Sequence, residues 1–354
     1  MRPGRLLALS LLGLGSLSAS DSDITPECLR SADKGIAWLL RAQNADGSWG
    51  LDARSSADIT CTSLSALALM SDGTTERNGP RPDTVQALRK ALEFILRRAR
   101  AMRGDIETGQ VTLIQNKLGQ RIHNFFATVF LTQVFGMRPG WVPEENFSEI
   151  RELIGKLTQR ITSSQEADGS WHKNTFGSLK ATCMAWLALR AANSSGIDVQ
   201  TAAVEKTVQF IQQQFNPATK LYDRSAGGNR SYQSIYSTST CLRVLFAIGE
   251  GDSTEVRQAV RALFDFIKSG FQGQFLSVEG EDYLSAAMTT QALLFEEGKL
   301  WAEWFPWIRD QLIKKQANDG SWTGTACISG RTFATACALL TLQAPYHLLP
   351  IAEQ

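Results

Sequence analysis

The sequence is short of the patterns that announce most functions. It holds only three histidines, His123, His172 and His347. Neither His172 nor His347 has a serine or cysteine partner that the sequence can assign, and a lone histidine is ordinarily a surface or satisfied polar residue rather than a catalyst. The six cysteines include no Cys-x-x-Cys pair, so zinc-ribbon and thioredoxin-like sites have no support. Lys and Arg number 36 against 35 Asp and Glu, and without a basic surplus nothing points to nucleic acid. Beyond residue 20 no stretch is long and apolar enough to span a bilayer.

The chain opens Met1-Arg2-Pro3-Gly4-Arg5, runs apolar from Leu6 to Leu17, and passes into the small residues Ser16-Leu17-Ser18-Ala19-Ser20. A basic start, a short apolar run and a small-residue zone read as a signal peptide over residues 1–20. The mature chain, 21–354, is therefore expected to be exported, to a periplasmic or extracellular space. Losing Arg2 and Arg5 leaves 34 basic against 35 acidic residues, a formal charge of −1. Export permits disulfides. However, Cys61, Cys183 and Cys241 each follow a threonine in equivalent positions, as small buried apolar residues would.

The organising feature is a stretch that returns. Gln43-Asn44-Ala45-Asp46-Gly47-Ser48-Trp49 recurs as Gln165-Glu166-Ala167-Asp168-Gly169-Ser170-Trp171 and as Gln316-Ala317-Asn318-Asp319-Gly320-Ser321-Trp322. Asp-Gly after a helical run is a stop signal, because glycine takes up the left-handed conformation that closes a helix. The glutamine four residues earlier lies in the last helical turn. Its amide can reach free carbonyls there or the backbone of the next repeat. The tryptophan can fold back over that turn. Gln272-Gly273-Gln274-Phe275 reads as a worn copy.

Around these turns the sequence divides into six helical pairs: 29–43 with 58–69, 85–102 with 122–135, 150–165 with 179–192, 204–215 with 237–248, 256–267 with 285–296, and 304–316 with 332–343. The first helix of each pair is amphipathic and should face solvent. The second is poor in charge, rich in small residues, and carries a threonine near its start: Thr60, Thr128, Thr182, Thr240, Thr289 and Thr335. These should be buried, the small residues letting backbones approach. A closed two-layer ring and an open solenoid both satisfy the pattern.

Gln…Asp-Gly-Ser-Trp followed by a Thr/Ala/Leu-rich helix resembles the QW repeats of squalene–hopene cyclases and other class II terpenoid cyclases. It is similar also to the β subunits of protein prenyltransferases. The resemblance covers most of residues 29–345 and implies an all-α fold, an (α/α)6 toroid of six helical hairpins in one domain around an apolar funnel. A single toroid matches the length of the prenyltransferase subunit better than that of the longer cyclases.

The chemistry is less clear. The cyclase acid motif, Asp-x-Asp-Asp-Thr at an inner helix start, has its nearest match in Ser56-Ala57-Asp58-Ile59-Thr60. The resemblance would make Asp58 the general acid, but both flanking acids are missing. The plain reading is that Asp58 caps its helix. Prenyltransferases hold zinc with Asp, Cys and His from inner helices, and Asp58, Cys61 and His123 supply the three types, though not the family's spacing. The plain reading of that set is a cap, a core cysteine and a loop-edge histidine, so no metal or cofactor is expected. Trp186, Phe125, Phe126, Phe130 and Phe246 either line a lipid-sized cavity or are plain core. The basic residues Arg97, Arg98, Arg100 and Arg103 read as a solvated outer face.

The expectation is thus an exported, non-catalytic or strongly divergent toroid that binds an apolar isoprenoid or lipid ligand, or a protein partner. The alternative is a terpenoid cyclase or transferase centred on Asp58. A third reading is a carbohydrate-processing enzyme, since other α/α rings act on sugars. It requires paired carboxylates in the funnel, and Glu281 and Asp282, adjacent in sequence, should diverge.

Overall fold

Two kinds of helix alternate along the chain, and their composition sorts them into two layers. The computed structural model describes residues 23–72, 81–171, 178–226, 228, 230–270, 275–276, 279–294, 296 and 298–349. The expected signal peptide, His172 and residues 272–274 of the worn repeat lie outside them. Helix α1 (Pro26–Ala42) is amphipathic, burying Ile36, Leu39 and Ala42 and exposing the polar remainder. Thr25 caps it and Pro26 opens it, where the missing N–H costs nothing. Helix α2 (Ile59–Met70) is buried at every residue.

The alternation continues with α3 (Pro82–Ala101), a short α4 (Leu113–Leu118), α5 (Ile122–Met137), α6 (Asn146–Ser163), α7 (Ser178–Ser194), α8 (Thr201–Gln212) and α9 (Tyr232–Ala247). Then come α10 (Thr254–Asp265), α11 (Glu281–Leu293), α12 (Lys299–Lys315) and α13 (Arg331–Leu342). The inner helices pack in order, α2 on α5, α5 on α7, α7 on α9, α9 on α11 and α11 on α13; α13 then returns to pack on α2. The inner ring is closed. Outside it α1, α3, α6, α8, α10 and α12 lie in the grooves, and α1 packs on both α12 and α13. This is the all-α toroid of six hairpins, and the open solenoid is excluded. Only two short antiparallel ribbons, β1 (Trp49–Gly50) with β2 (Ala57–Asp58) and β3 (Phe215–Asn216) with β4 (Leu221–Tyr222), occur among the described residues.

The repeated turn is the joint of the ring. The Gln43 amide donates to Gly47 O at 3.0 Å within its own turn and to Ala87 O at 2.9 Å on the next outer helix. Gln165 makes the same two bonds, to Gly169 O and Ala203 O. Gln316 donates to Gly320 O and, across the closure, to Ser31 O of α1 at 2.9 Å. The indole N–H groups of Trp49, Trp171 and Trp322 reach back to Leu39 O, Ile161 O and Leu312 O. Glycine is obligatory for two reasons. Gly47, Gly169 and Gly320 have φ of 90, 91 and 95°. A Cβ at Gly169 would also lie 2.4 Å from Lys206 O of the neighbouring outer helix.

On three of the inner helices a threonine accepts from the backbone N–H of the turn's tryptophan: Thr62 for Trp49, Thr182 for Trp171 and Thr335 for Trp322. In the fourth hairpin Tyr222 stands where the tryptophan stands elsewhere, and its N–H donates to Thr238 at 2.9 Å. The expected register of Thr60 and Thr240 is therefore two residues off. Thr60 Oγ1 is buried without a partner and Thr240 bonds Ser237 O instead. Five of the six cysteines are buried free thiols, and Cys183 and Cys241 face each other across α7 and α9 at 3.7 Å.

Candidate functional site

Because every inner helix follows an outer one, the first turns of the inner helices gather at one mouth of the ring, and there the polar residues collect. Asp58 ends β2 and caps α2. One oxygen accepts the Cys61 N–H at 2.8 Å, so the capping role expected from sequence is real. Its other oxygen lies 3.3 Å from His123 Nε2 in the first turn of α5. Asp58 and His123 are buried, 2% and 1% exposed, which makes this a desolvated pair. Thr112 Oγ1 lies 3.4 Å from the same imidazole nitrogen. Burial acts to raise the Asp58 pKa; His123, through its hydrogen bond and its charge, together with Thr112 and the Cys61 N–H, outweighs it and holds the carboxyl below its ordinary 3.8. Asp58 is therefore a carboxylate at neutral pH.

Above this pair opens a cleft of about 810 Å³ lined by residues 55–58, by Leu51 and Arg98, and by the segment 108–114. That segment leads into α4, which packs against α5 and α7 and so lies over the mouth. Thr112 starts α4 with a reciprocal cap: its hydroxyl accepts the Gln115 N–H, and the Gln115 side chain accepts the Thr112 N–H. The polar lining is hydroxyls and amides (Ser55, Ser56, Thr108, Gln110, Thr112), and its ionisable members are Asp58 and Arg98. Of the basic residues read as a solvated face, Arg97 and Arg100 are exposed, and Arg100 pairs with Glu93 and Glu149. Arg98 departs from that reading. It is half-buried, lies over the Phe94 ring at 5.3 Å, and borders the cleft.

A second buried polar cluster crosses the mouth. Lys180 of α7 reaches past α9 to pair with Glu281 of α11, and also donates to Gln233 Oε1 at 3.1 Å. Asp282 turns the other way, accepting the Tyr236 hydroxyl at 2.8 Å and the Leu276 N–H at 2.9 Å. The adjacent acids do diverge, as expected. Burial pushes Asp282 up to about 7 against those two hydrogen bonds. The chain beside Glu279 and Glu281 is bridged to Ala326, and Gly280 sits so close to Ile328 O that a Cβ would fall 1.5 Å from it. Among the described residues the acid and thiol groups whose donor atoms converge are Glu279, Glu281 and Cys327. Asp58, Cys61 and His123 do not converge in that way, so the zinc set that the prenyltransferase resemblance suggested does not fit. Burial and the neighbouring acids push the Cys327 thiol up to about 11, the opposite of a thiolate poised for metal.

The centre of the ring is packed. Phe125 and Phe126 meet Leu64, Leu67, Met184 and Met288 around a cavity of about 40 Å³, little more than one water's share of liquid volume. Trp186, Phe130 and Phe246 are core residues that do not border it. His347 lies beyond the last inner helix with φ of 53° and no place in the mouth. Spacing could not reveal the His123–Asp58 and Lys180–Glu281 contacts, which join residues 65 and 101 apart. The signal that existed was a polar residue in the first turn of an otherwise apolar helix.

No protein-family profile matches the sequence, and no curated protein does. The fold does have relatives among solved structures. An inactive variant of the alpha-1,6-mannanase GH76A of Salegentibacter sp. HEL1_6, in complex with alpha-1,6-mannotriose, is similar over 91% of this chain and 99% of that one, with a TM-score of 0.61 and 10% identity. A possible member of the GH105 family from Salmonella enterica aligns over 91% of this chain and 93% of its own, with a TM-score of 0.53 and 12% identity. A type II terpene cyclase from Scytonema aligns with a TM-score of only 0.38 and 14% identity. The likenesses to the mannanase and to the possible GH105 member show a shared α/α toroid. They do not single out the squalene cyclases among toroid proteins. Among the described residues no helix is long and apolar enough to cross a membrane.

Proposed function

We propose that this toroid is a saccharide-processing enzyme whose cleft receives an oligosaccharide and presents it to Asp58. The observation that carries the reading is the contrast between the two openings: the mouth holds a cleft of about 810 Å³ lined by hydroxyl, amide and apolar side chains, whereas the apolar centre has room for only about 40 Å³. Serine, threonine and glutamine side chains around one buried carboxylate are suited to a ligand covered in hydroxyls. The mannanase and the possible GH105 member, both toroids of this shape, lend the reading support by analogy. In this reading Asp58, kept ionised by His123, stabilises positive charge developing at an anomeric carbon, and His123 is the group that exchanges a proton. A two-carboxylate hydrolysis needs a second acid roughly 5–9.5 Å away, and among the described residues the cleft's lining contains none. The second group in this reading is therefore His123 rather than Glu281 or Asp282.

The cyclase reading keeps the QW-type turns in its favour but asks Asp58 to donate a proton, and a carboxyl held below 3.8 is ionised at neutral pH and has none to give. Incubating the protein with a panel of neutral and acidic oligosaccharides, and separately with squalene and polyprenyl diphosphates, decides between the two. Turnover of a saccharide that Asp58→Asn abolishes supports the proposal. Cyclised terpenoid product overturns it. Bound lipid recovered by extraction, with no saccharide turned over, would return the apolar-ligand toroid to first place. Export is part of the proposal, on the basic, apolar and small-residue pattern of residues 1–20; N-terminal sequencing of secreted protein should begin near residue 21.

A further inference from the structure

We infer that Arg98 is an anchor for a carboxylate, and that the saccharide taken by the cleft is an acidic one bearing uronic acid. The inference rests on the saccharide reading above and sharpens it to a substrate class. Three observations carry it. Among the described residues that line the cleft, the ionisable ones are Asp58, an anion, and Arg98, a cation. The anion is already satisfied, by His123 and the Cys61 N–H. The cation is not: Arg98 makes no ion pair or hydrogen bond among the described residues, and its Nε is buried without a partner. Its neighbours on α3 behave otherwise, Arg97 reaching Asp46 O and Arg100 pairing with Glu93 and Glu149.

Nearby acids do not pair with Arg98. Asp105, in the cleft of about 380 Å³ on the other side of Arg98, is held by Arg121, Arg160 and Asn124. Glu107, which borders that second cleft too, is exposed and makes no ion pair among the described residues. A guanidinium that makes no ion pair among the described residues and borders a binding cleft is available to a ligand there. Its planar fork matches a carboxylate through two parallel bonds. Phe94 beneath the guanidinium steadies its plane. A uronic acid residue supplies both halves of the match, hydroxyls for the serine and threonine lining and a carboxylate for Arg98. A sulfate ester shares the negative charge but not the planar geometry, so the two are separable.

The test is calorimetric titration of the full chain with trigalacturonate, a sulfated carrageenan-derived tetrasaccharide that has sulfate esters and no carboxylate, and alpha-1,6-mannotriose, on wild type, Arg98→Gln and Arg98→Lys. Circular dichroism confirms that each variant is folded. The expected result is that trigalacturonate binds best, that Arg98→Gln weakens it about ten-fold or more, and that Arg98→Lys restores only part of the loss. Equal binding of trigalacturonate by wild type and a folded Arg98→Gln overturns the anchor. Tighter binding of the sulfated ligand overturns the carboxylate assignment. Binding of mannotriose alone overturns the anchor and leaves the saccharide reading standing, whereas binding of none of the three overturns both.

Discussion

At the scale of single residues the mouth contains two acids whose environments push them in opposite directions, and each has its own signature in pH. Asp58 is depressed below 3.8 in the folded state. The stability it contributes is present above that value and is lost as pH falls through its lower folded pKa. Asp282 is raised to about 7. Between pH 3.8 and about 7 the unfolded chain has released this proton while the folded chain keeps it, so stability falls as pH rises through that window. Asp282→Asn should remove this slope, the Tyr236 hydroxyl turning from donor to acceptor. Urea unfolding at pH 4.5 and 7.5 checks it (both pH values are chosen, as about the two ends of the window). Asp58→Ala, by contrast, loses a helix cap and strands a buried imidazole, and should cost about 2–4 kcal/mol at neutral pH. Asp58→Asn can keep the cap and should cost less in stability while abolishing any turnover. If Asp58 were only a cap, the Asn variant would retain full activity.

At the scale of elements the argument passes to the glutamine–tryptophan turn. Gln165 donates to Gly169 O, Ala203 O and Thr207 Oγ1. Gln165→Ala should therefore cost about 2–3 kcal/mol, since it removes several bonds at one joint. Gly169→Ala should cost more than Gly196→Ala. Both glycines have positive φ, 91 and 76°, but a Cβ at Gly196 meets nothing within 4 Å while one at Gly169 strikes Lys206 O. The first substitution carries left-handed strain of about 1–2 kcal/mol plus the displacement of α8, and the second the strain alone. Equal losses in urea unfolding would mean that the turn does not grip the next hairpin.

These joints were legible in the sequence because their chemistry is local and repeated. A glutamine, a glycine and a tryptophan at constant spacing can be read without knowing where the chain goes. The exact threonine was not legible: Thr60 and Thr62 differ by half a turn, and only the position of Trp49 selects Thr62. The fourth turn was missed for a related reason, since Tyr222 does the tryptophan's work on a ribbon with no Asp-Gly signal. Neither α4 nor its position over the mouth was foreseen. Its six residues are too few to show a periodicity, and it is placed by tertiary packing. The Arg98 environment was read wrongly because a basic run on an amphipathic helix looks the same whether one of its members faces solvent or a cleft.

At the scale of the whole molecule, what matters is that the ring is closed by the same joint that builds it. Gln316 bonds Gly320 O and Ser31 O, Ser31 Oγ returns a bond to the Gln316 side chain at 2.9 Å, and Gly320 lies against Lys34 O. The closure thus joins residues 285 apart with the geometry that elsewhere joins consecutive hairpins. A toroid gains from this because an open end would expose the apolar faces of α2 and α13 to water and let the mouth spread, separating Asp58 from the groups around it. Gln316→Ala should therefore be about as destabilising as Gln165→Ala, roughly 2–3 kcal/mol. It should also raise hydrogen exchange in α1 and α13 together, since the first and last hairpins would fray as a unit. A chain whose ends merely lay near each other would respond differently: the closing glutamine would be nearly neutral, and only α13 would exchange faster. Comparing the two glutamine variants by urea unfolding and amide exchange measures whether the ends of this ring are fastened as firmly as its middle.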